Sequence, residues 1–215
     1  FKVIKKLGSG AYGEVYKVNR LNDHKTYAMK KIDLKEMSQK DRIGILNEVR
    51  ILASLEHPNI IAYKECFIDS SSACLCLVME LATEGDLRKL IEKHQDSEKP
   101  IEEEKIWKFA TQMIKGLHYL HKTKIAHRDI KSANVLLTRG SKIKIGDMNV
   151  SKVCETKCLM TTMTGTPYYI APEVWKGEQY DMKSDIWSIG VLIYELATLE
   201  HPFKGDSIPS LYNTV

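Results

Sequence analysis

Apolar positions in the first third of the chain are mostly β-branched or aromatic and are separated by polar turns, as in β-strands. Three such segments, which end at glycine-rich or Asn-Asp turns, are FKVIKKLGSG (1–10), GEVYKVNR (13–20) and TYAMKKID (26–33). The period then changes, because Ile45, Val49 and Leu52 fall on one face of a helix that should stop at His57-Pro58. Two apolar segments, IIAYKECFI (60–68) and CLCLVMEL (74–81), suit buried strands.

From residue 85 onward the spacing of apolar residues is mostly helical. The segment 102–122 has acids in its first turn and one apolar face, made by Ile106, Ala110, Met113, Leu117 and Leu120. Two short strands, NVLLT (134–138) and KIKIG (142–146), precede a threonine-rich loop at 151–166. A final apolar helix is expected over 185–199. It contains charges and is too short to cross a bilayer, so we expect it to be buried.

These elements predict an α+β protein with two lobes. The N-lobe, at 1–80, is a small antiparallel β-sheet with one helix. A hinge at 81–85 leads to a mainly helical C-lobe at 86–215.

Composition narrows the class of protein. The chain has 215 residues, of which 43% are hydrophobic and 28% charged, as in a folded soluble protein. The net charge of +4 comes from scattered lysines, so no basic groove for nucleic acid is expected. There is no signal peptide, and the start at Phe1 instead of Met suggests an excerpt of a longer protein. The odd count of five cysteines favours reduced thiols, and no further Cys or His stands at zinc-ligand spacing.

Two features of the N-lobe suggest a phosphate site. GSGAYGEV (8–15) is a glycine-rich loop between two strands; no helix follows it, and it lacks the Walker ending, so neither a dinucleotide fold nor a P-loop phosphotransferase fits. Its glycines would let the backbone approach phosphates closely. Lys30 lies within a strand, where a lysine is often only solvated. Glu48 would point inward on the following helix, where an unpaired carboxylate is costly, so we predict a Lys30–Glu48 ion pair.

The most specific segment is HRDIKSAN (127–134). Asp129 can accept a proton from a hydroxyl, Lys131 can neutralise a phosphoryl group, and the amide oxygen of Asn134 can ligate Mg²⁺. A capped polar loop would explain any one of these residues but not all three at this spacing. Asp147 follows the strand KIKIG and could either cap a turn or hold a metal ion.

The glycine-rich loop, Lys30, Glu48, HRDIKSAN and Asp147 are followed in the chain by APE (171–173). With these motifs in this order, the chain resembles the eukaryotic protein kinases. The resemblance implies a bilobal kinase-like fold that is truncated at its C-terminal end. It also implies that Asp129 is the catalytic base, that Lys131 contacts the γ-phosphate, and that Asn134 and Asp147 bind Mg²⁺, with Mn²⁺ as a substitute. Lys30 paired with Glu48 would hold the α and β phosphates of ATP.

The resemblance also places the rest of the nucleotide. The glycine-rich loop would cover the phosphates, Val15, Ala28 and Leu136 would enclose the adenine, Met79 would lie behind it, and backbone groups of Glu80 and Ala82 would bind its edge. The complete predicted ATP site is Leu7, Gly8, Ser9, Gly10, Ala11, Tyr12, Gly13, Val15, Ala28, Lys30, Met79, Glu80, Ala82 and Leu136.

Lys131 and the segment GTPYYIAPE resemble the corresponding motifs of the Ser/Thr-specific kinases. This resemblance implies that Thr166 forms a hydrogen bond close to Asp129 and Lys131. A phosphothreonine in the loop could pair with Arg128 and Lys152 and order the segment. Thr162 best matches the family's activating position, with Thr161 and Thr164 as alternatives; the threonines could also belong simply to a mobile loop.

Segments such as HPNIIAYKECFID and KSDIWSIGVLIYEL look like those of the NIMA-related kinases. That branch suggests a cytoplasmic protein with a cytoskeletal, centrosomal or ciliary role, protein substrates with Ser or Thr, and an upstream or autophosphorylating kinase. Asp-Met-Asn stands where the family has Asp-Phe-Gly; Met148 can fill the apolar slot, and Asn149 tolerates the left-handed region. The alternative function is a pseudokinase or scaffold that binds nucleotide or partners without catalysis.

Overall fold

A computed structural model describes residues 1–10, 13–35, 37–146, 167–178 and 181–215, together with the backbone but not the side chain of Glu48. These residues form two compact units. Phe1–Ala82 make up the first, and the described residues from Thr83 onward make up the second.

The first unit contains five antiparallel strands in the order β1-β2-β3-β5-β4. Their bounds are Lys2–Gly10 (β1), Gly13–Asn19 (β2), Thr26–Asp33 (β3), Tyr63–Asp69 (β4) and Cys74–Glu80 (β5). All five strands were predicted: the first three from their β-branched and aromatic residues between turns, and the last two from their apolar segments. β4 begins three residues later than expected, because a turn that closes from the Ile60 amide to the His57 carbonyl (3.1 Å) takes up the start of the segment.

One helix, α1 (Gln39–Ala53), covers one face of this sheet. It begins at Gln39, because the side chain of Ser38 caps its N-terminus by accepting from the Asp41 amide at 3.2 Å. The predicted inward residues Ile45 and Val49 are buried against the sheet. The opposite face has a core of its own, formed by Val18, Tyr27, Met29, Cys76 and Val78.

The second unit is mainly helical. Its helices are α2 (Leu87–Asp96), α3 (Glu103–Lys122), α4 (Pro172–Trp175), α5 (Met182–Thr198) and α6 (Ile208–Thr214). A 3₁₀ turn at Ser132–Asn134 leads into the two-stranded hairpin of β6 (Val135–Thr138) and β7 (Lys142–Ile145). Fully buried residues of α3 and α5, among them Phe109, Leu117 and Leu192, form the core with this hairpin.

Two features of this unit differ from the sequence-based prediction. α5 begins at Met182 and not at 185, because Asp181 caps it by accepting from the amides of Lys183 (2.6 Å) and Ser184 (3.3 Å). α6 was not predicted, since its seven residues include a proline and give little periodic signal.

Membrane and thiol predictions can be compared with the described residues. No helix among them is both long enough and apolar enough to cross a bilayer. Cys66, Cys74 and Cys76 are free thiols. Cys154 and Cys158 lie outside the described residues.

Candidate active site

The loop that contains Asp129 is held by a buried carboxylate on α5. Asp185 has no exposed surface, and it accepts hydrogen bonds from the backbone amides of His127 and Arg128, both at 2.9 Å. The Nε2 atom of His121 lies 2.8 Å from the same carboxylate. A carboxylate can accept several hydrogen bonds at once, so one side chain fixes the entry to the loop.

This support matters because the loop backbone is strained at Arg128. Its φ is +67°, in the left-handed region that a long side chain rarely adopts, at a cost of about 1–3 kcal/mol. The hydrogen bond from the Arg128 amide to Asp185 stabilises that conformation. The kink turns the chain just before Asp129.

His127 connects the same loop to the end of β7. Its Nδ1 accepts from the Asp129 amide at 3.3 Å, so Nε2 carries the proton and donates to the Gly146 carbonyl at 3.1 Å. The Gly146 amide in turn donates to the Asn134 carbonyl at 2.9 Å. The residue that precedes Asp147 in the chain is therefore bound to both ends of the loop.

The three predicted catalytic residues of the loop lie together. Lys131 Nζ is 3.1 Å and 2.9 Å from the two carboxylate oxygens of Asp129. The Nδ2 atom of Asn134 donates to the Asp129 backbone carbonyl at 2.8 Å and to its carboxylate at 2.9 Å. The spacing in HRDIKSAN thus brings one acid, one cation and one amide into direct contact.

The orientation of Asn134 fits a metal ligand. Because Nδ2 makes the two bonds to Asp129, the Oδ1 atom is left as an acceptor without a hydrogen bond in the described part of the chain. An amide oxygen next to a carboxylate is a donor set that Mg²⁺ accepts. No group of three or more His, Cys, Asp or Glu side chains among the described residues is placed to hold a metal ion, and Asp147, the other predicted Mg²⁺ ligand, lies outside the described residues.

Predicted nucleotide residues of the first unit share one face of the sheet. Val15 pairs with Lys30, and Ala28 pairs with Met79. Because side chains alternate between faces, these four residues lie on the face that α1 covers further along. They are half-buried, whereas Ile32 beneath α1 is fully buried. Val15, Ala28 and Lys30 therefore form a strip of partly exposed residues on that face, next to the strands that carry the glycine-rich loop.

The remaining predicted contacts can be placed only in part. Glu48 lies on α1, but its side chain is outside the described residues, so the ion pair with Lys30 stays a prediction. Leu136, in the second unit, is half-buried on β6. The Glu80 amide donates to the Ala62 carbonyl at 2.9 Å, whereas the amide and carbonyl of Ala82 form no hydrogen bond within the described part of the chain. Ala82 therefore has backbone groups available for an adenine edge.

The strands on either side of the glycine-rich loop pair antiparallel as far as Gly10 and Gly13, and Gly8 and Gly13 differ in their surroundings. Gly13 has a φ of +137°, and a Cβ atom there would lie 1.9 Å from the Lys31 carbonyl oxygen. No atom of the described residues lies within 4 Å of where a Cβ of Gly8 would be. Gly13 is therefore required by the described fold, whereas no described atom excludes a side chain at Gly8. Leu7 and Ser9 flank it and are exposed on β1.

Several predicted residues fall outside the described residues. They are Ala11, Tyr12, Asp147, Lys152, Thr161, Thr162, Thr164 and Thr166. Their roles remain predictions.

Sequence reasoning missed Asp185 and its partner His121. The signal was present, since an acid inside the apolar segment DIWSIGVLIYEL should be either exposed or satisfied by donors. The sequence does not say which donors, because His121 and His127 are about sixty residues away in the chain.

The chain belongs to the protein kinase family: the family model described as "Protein kinase domain" matches residues 1–214. This confirms the resemblance on which the predicted fold and chemistry depend.

The chain is also similar to several NIMA-related kinases. It is 37% identical to the "Probable serine/threonine-protein kinase nek2" of Dictyostelium discoideum over 100% of its own length and 52% of that protein. It is 38% identical to the mouse "Serine/threonine-protein kinase Nek4" and 40% identical to mouse "Serine/threonine-protein kinase Nek9", in each case over 95% of this chain. It spans 26% and 20% of those two proteins. The predicted NIMA-related branch is confirmed.

The two glycines give a matched test of the loop. Gly13→Ala should lower the free energy of unfolding by about 2 kcal/mol or more, because the methyl group collides with the Lys31 carbonyl in a strained conformation. Gly8→Ala should leave the free energy of unfolding within about 0.5 kcal/mol of wild type. It should nevertheless raise the Kd for ATP several-fold. Urea denaturation and a fluorescent nucleotide titration measure the two effects. Equal destabilisation by both variants would contradict this account.

Asp185→Asn should destabilise the protein by about 2–4 kcal/mol, because the amide offers one acceptor oxygen and turns an NH₂ group toward backbone donors. Asp181→Asn is the control on the same helix, since asparagine is also a good N-cap and should cost little. Thermal denaturation of both variants checks this difference. An Asp185→Asn protein as stable as the control would refute the role of the carboxylate.

Proposed function

We propose that this chain is the catalytic domain of a protein kinase that transfers the γ-phosphate of ATP to Ser or Thr hydroxyls of protein substrates. The observation that carries the proposal is the contact among Asp129, Lys131 and Asn134 on a loop held by Asp185. The family and the names of the relatives support it.

Asp129 is the group that receives the proton of the substrate hydroxyl. Its carboxylate is held by Asn134 Nδ2 and contacts the Lys131 ammonium, so its position is fixed before substrate arrives. When the γ-phosphate approaches, Lys131 can share its charge between that phosphate and Asp129. Because phosphoryl transfer needs little covalent help, such positioning and charge neutralisation supply most of the catalysis.

Asn134 Oδ1 and Asp147 would hold Mg²⁺, for which Mn²⁺ could substitute. When bound, the ion neutralises charge on the phosphate oxygens of ATP. In the first unit, Lys30 would contact the phosphates beneath the glycine-rich loop, and Val15, Ala28 and Met79 would line the adenine side. The Asp147-Met148-Asn149 variant keeps the metal-binding acid, and its methionine supplies an apolar group.

The pseudokinase alternative is not supported, because the relatives are named as serine/threonine-protein kinases. Lys30, Asp129, Asn134 and Asp147 are also all present.

Regulation is part of the proposal. A phosphate on Thr162, or on Thr161 or Thr164, would pair with Arg128 and Lys152 through charge-assisted hydrogen bonds. The phosphate would come from an upstream kinase or from autophosphorylation.

A cytoplasmic location, with the cytoskeleton, centrosome or cilium as sites of action, follows by analogy with the NIMA-related branch.

Asp129→Asn should lower kcat toward a Ser/Thr peptide library by about 100-fold or more, because the proton acceptor is lost. The KM for ATP should change little. Asp206→Asn, at an exposed aspartate remote in sequence from the loop, is the matched control. Incorporation of radiolabelled phosphate measures both, with Asp147→Asn run beside them as a test of the metal role. Wild-type protein that binds ATP but labels no peptide would favour a scaffold.

Thr162→Ala should reduce the activity of the phosphorylated enzyme, because the loop loses its charged partner for Arg128 and Lys152. Mass spectrometry of the active wild type should find phosphate at residue 162, 161 or 164. A fully active enzyme that carries no phosphate at these positions would exclude the switch.

A further inference from the structure

The catalytic loop has a second attachment to α5, and it begins at Ser132. This residue stands between Lys131 and Asn134 and opens the 3₁₀ turn. Only 4% of its surface is exposed. The motif that characterises the family leaves this position variable, so what the hydroxyl does here follows from this chain's own residues.

Ser132 is bonded to Tyr169, which follows the threonine-rich loop in the sequence. The Ser132 hydroxyl lies 2.9 Å from the Tyr169 hydroxyl, and its amide donates to the same oxygen at 3.4 Å. Tyr169 donates to Glu195 Oε2 at 2.5 Å, and the other oxygen of Glu195 lies 3.5 Å from the Ser132 hydroxyl. The three side chains form a closed, largely buried triangle.

The direction of these hydrogen bonds follows from their chemistry. Burial and the nearby Glu195 charge raise the pKa of Tyr169, so its hydroxyl keeps its proton and donates. A carboxylate only accepts, so the tyrosine proton points to Glu195 and the tyrosine oxygen accepts from Ser132. Burial raises the pKa of Glu195, whereas the hydrogen bond that Tyr169 donates opposes that rise. Bonds that run in one direction polarise each other, so the loss of one weakens its neighbours.

Three polar residues on one face of α5 bind the catalytic loop and Tyr169. Asp185, Ser188 and Glu195 are separated by three and seven residues, which places them on one side of a helix. Asp185 binds the start of the loop, the Ser188 hydroxyl donates to the Tyr169 carbonyl at 2.8 Å, and Glu195 binds the Tyr169 hydroxyl. The helix therefore fixes the loop at His127 and again at Ser132.

We propose that Ser132, tied through Tyr169 to Glu195, is a positioning residue that sets Lys131 and Asn134 for phosphoryl transfer. The inference rests on the proposed function, because it concerns the same reaction. Ser132 touches no substrate in this role. It acts by holding the 3₁₀ turn, and the flanking side chains of Lys131 and Asn134 are the ones that would contact substrate.

The proposal predicts a coupled loss of rate in the full-length enzyme. Ser132→Ala and Tyr169→Phe should each lower kcat by about 10-fold, as expected when reacting groups are misplaced by a fraction of an ångström. The double variant should be no slower than either single one, because both changes break one network. The KM for ATP should stay within about twofold, since the loss affects the transition state and not ground-state binding.

Ser184→Ala is the matched control. Ser184 is a fully buried serine on α5 whose hydroxyl donates to Glu173 at 2.6 Å and not to the loop 127–134. It should lower the melting temperature as Ser132→Ala does and leave kcat unchanged. A normal kcat in Ser132→Ala, or strictly additive losses in the double variant, would overturn the proposal. So would an equal loss of kcat in Ser184→Ala.

Hydrogen exchange separates this inference from the proposed function. Amide exchange at residues 130–135 should become faster in Ser132→Ala and Tyr169→Phe than in Ser184→Ala, whatever the catalytic activity. Unchanged exchange would overturn the positioning role even in an active kinase. If exchange is faster in the two variants but the wild-type protein phosphorylates no peptide, the positioning by Ser132 and Tyr169 is supported and the proposed kinase function is wrong.

Discussion

The carboxylate of Asp185 is the interaction on which the rest of the site depends. It is fully buried and accepts from two consecutive backbone amides and a histidine ring. A buried charge without such donors would destabilise the fold, and a strained Arg128 without such an acceptor would relax. Each group thus offsets the unfavourable energy of the other.

α5 both packs in the apolar core and presents polar side chains to the catalytic loop. Most of its buried residues are apolar and pack with α3 and the β6-β7 hairpin, which makes the helix rigid. Along one side it presents Asp185, Ser188 and Glu195, and these bind the catalytic loop and Tyr169. Because these polar groups stand on a helix that packs in the core, the loop is positioned by a buried element of its unit.

The strands, α1 and the inward face of α3 were predictable, because each depends on a local period of apolar residues. HRDIKSAN was predictable as a site for a different reason: its three chemical groups lie within six residues. The ties from Asp185 to His127 and from Ser132 to Tyr169 were not predictable. They join residues 58 and 37 positions apart, and periodicity reports which face is buried but not which donor meets which acceptor. The left-handed Arg128 was missed as well, because no glycine or asparagine marks it.

The most direct test of this account is the phosphoryl-transfer rate of Asp185→Asn, measured at low temperature and divided by the folded fraction from circular dichroism. Asp185 is not expected to contact either substrate. If its carboxylate sets the loop, the folded variant should bind ATP normally and transfer phosphate about 100-fold more slowly, because Asp129 is displaced. A folded Asp185→Asn enzyme with wild-type kcat would contradict the account.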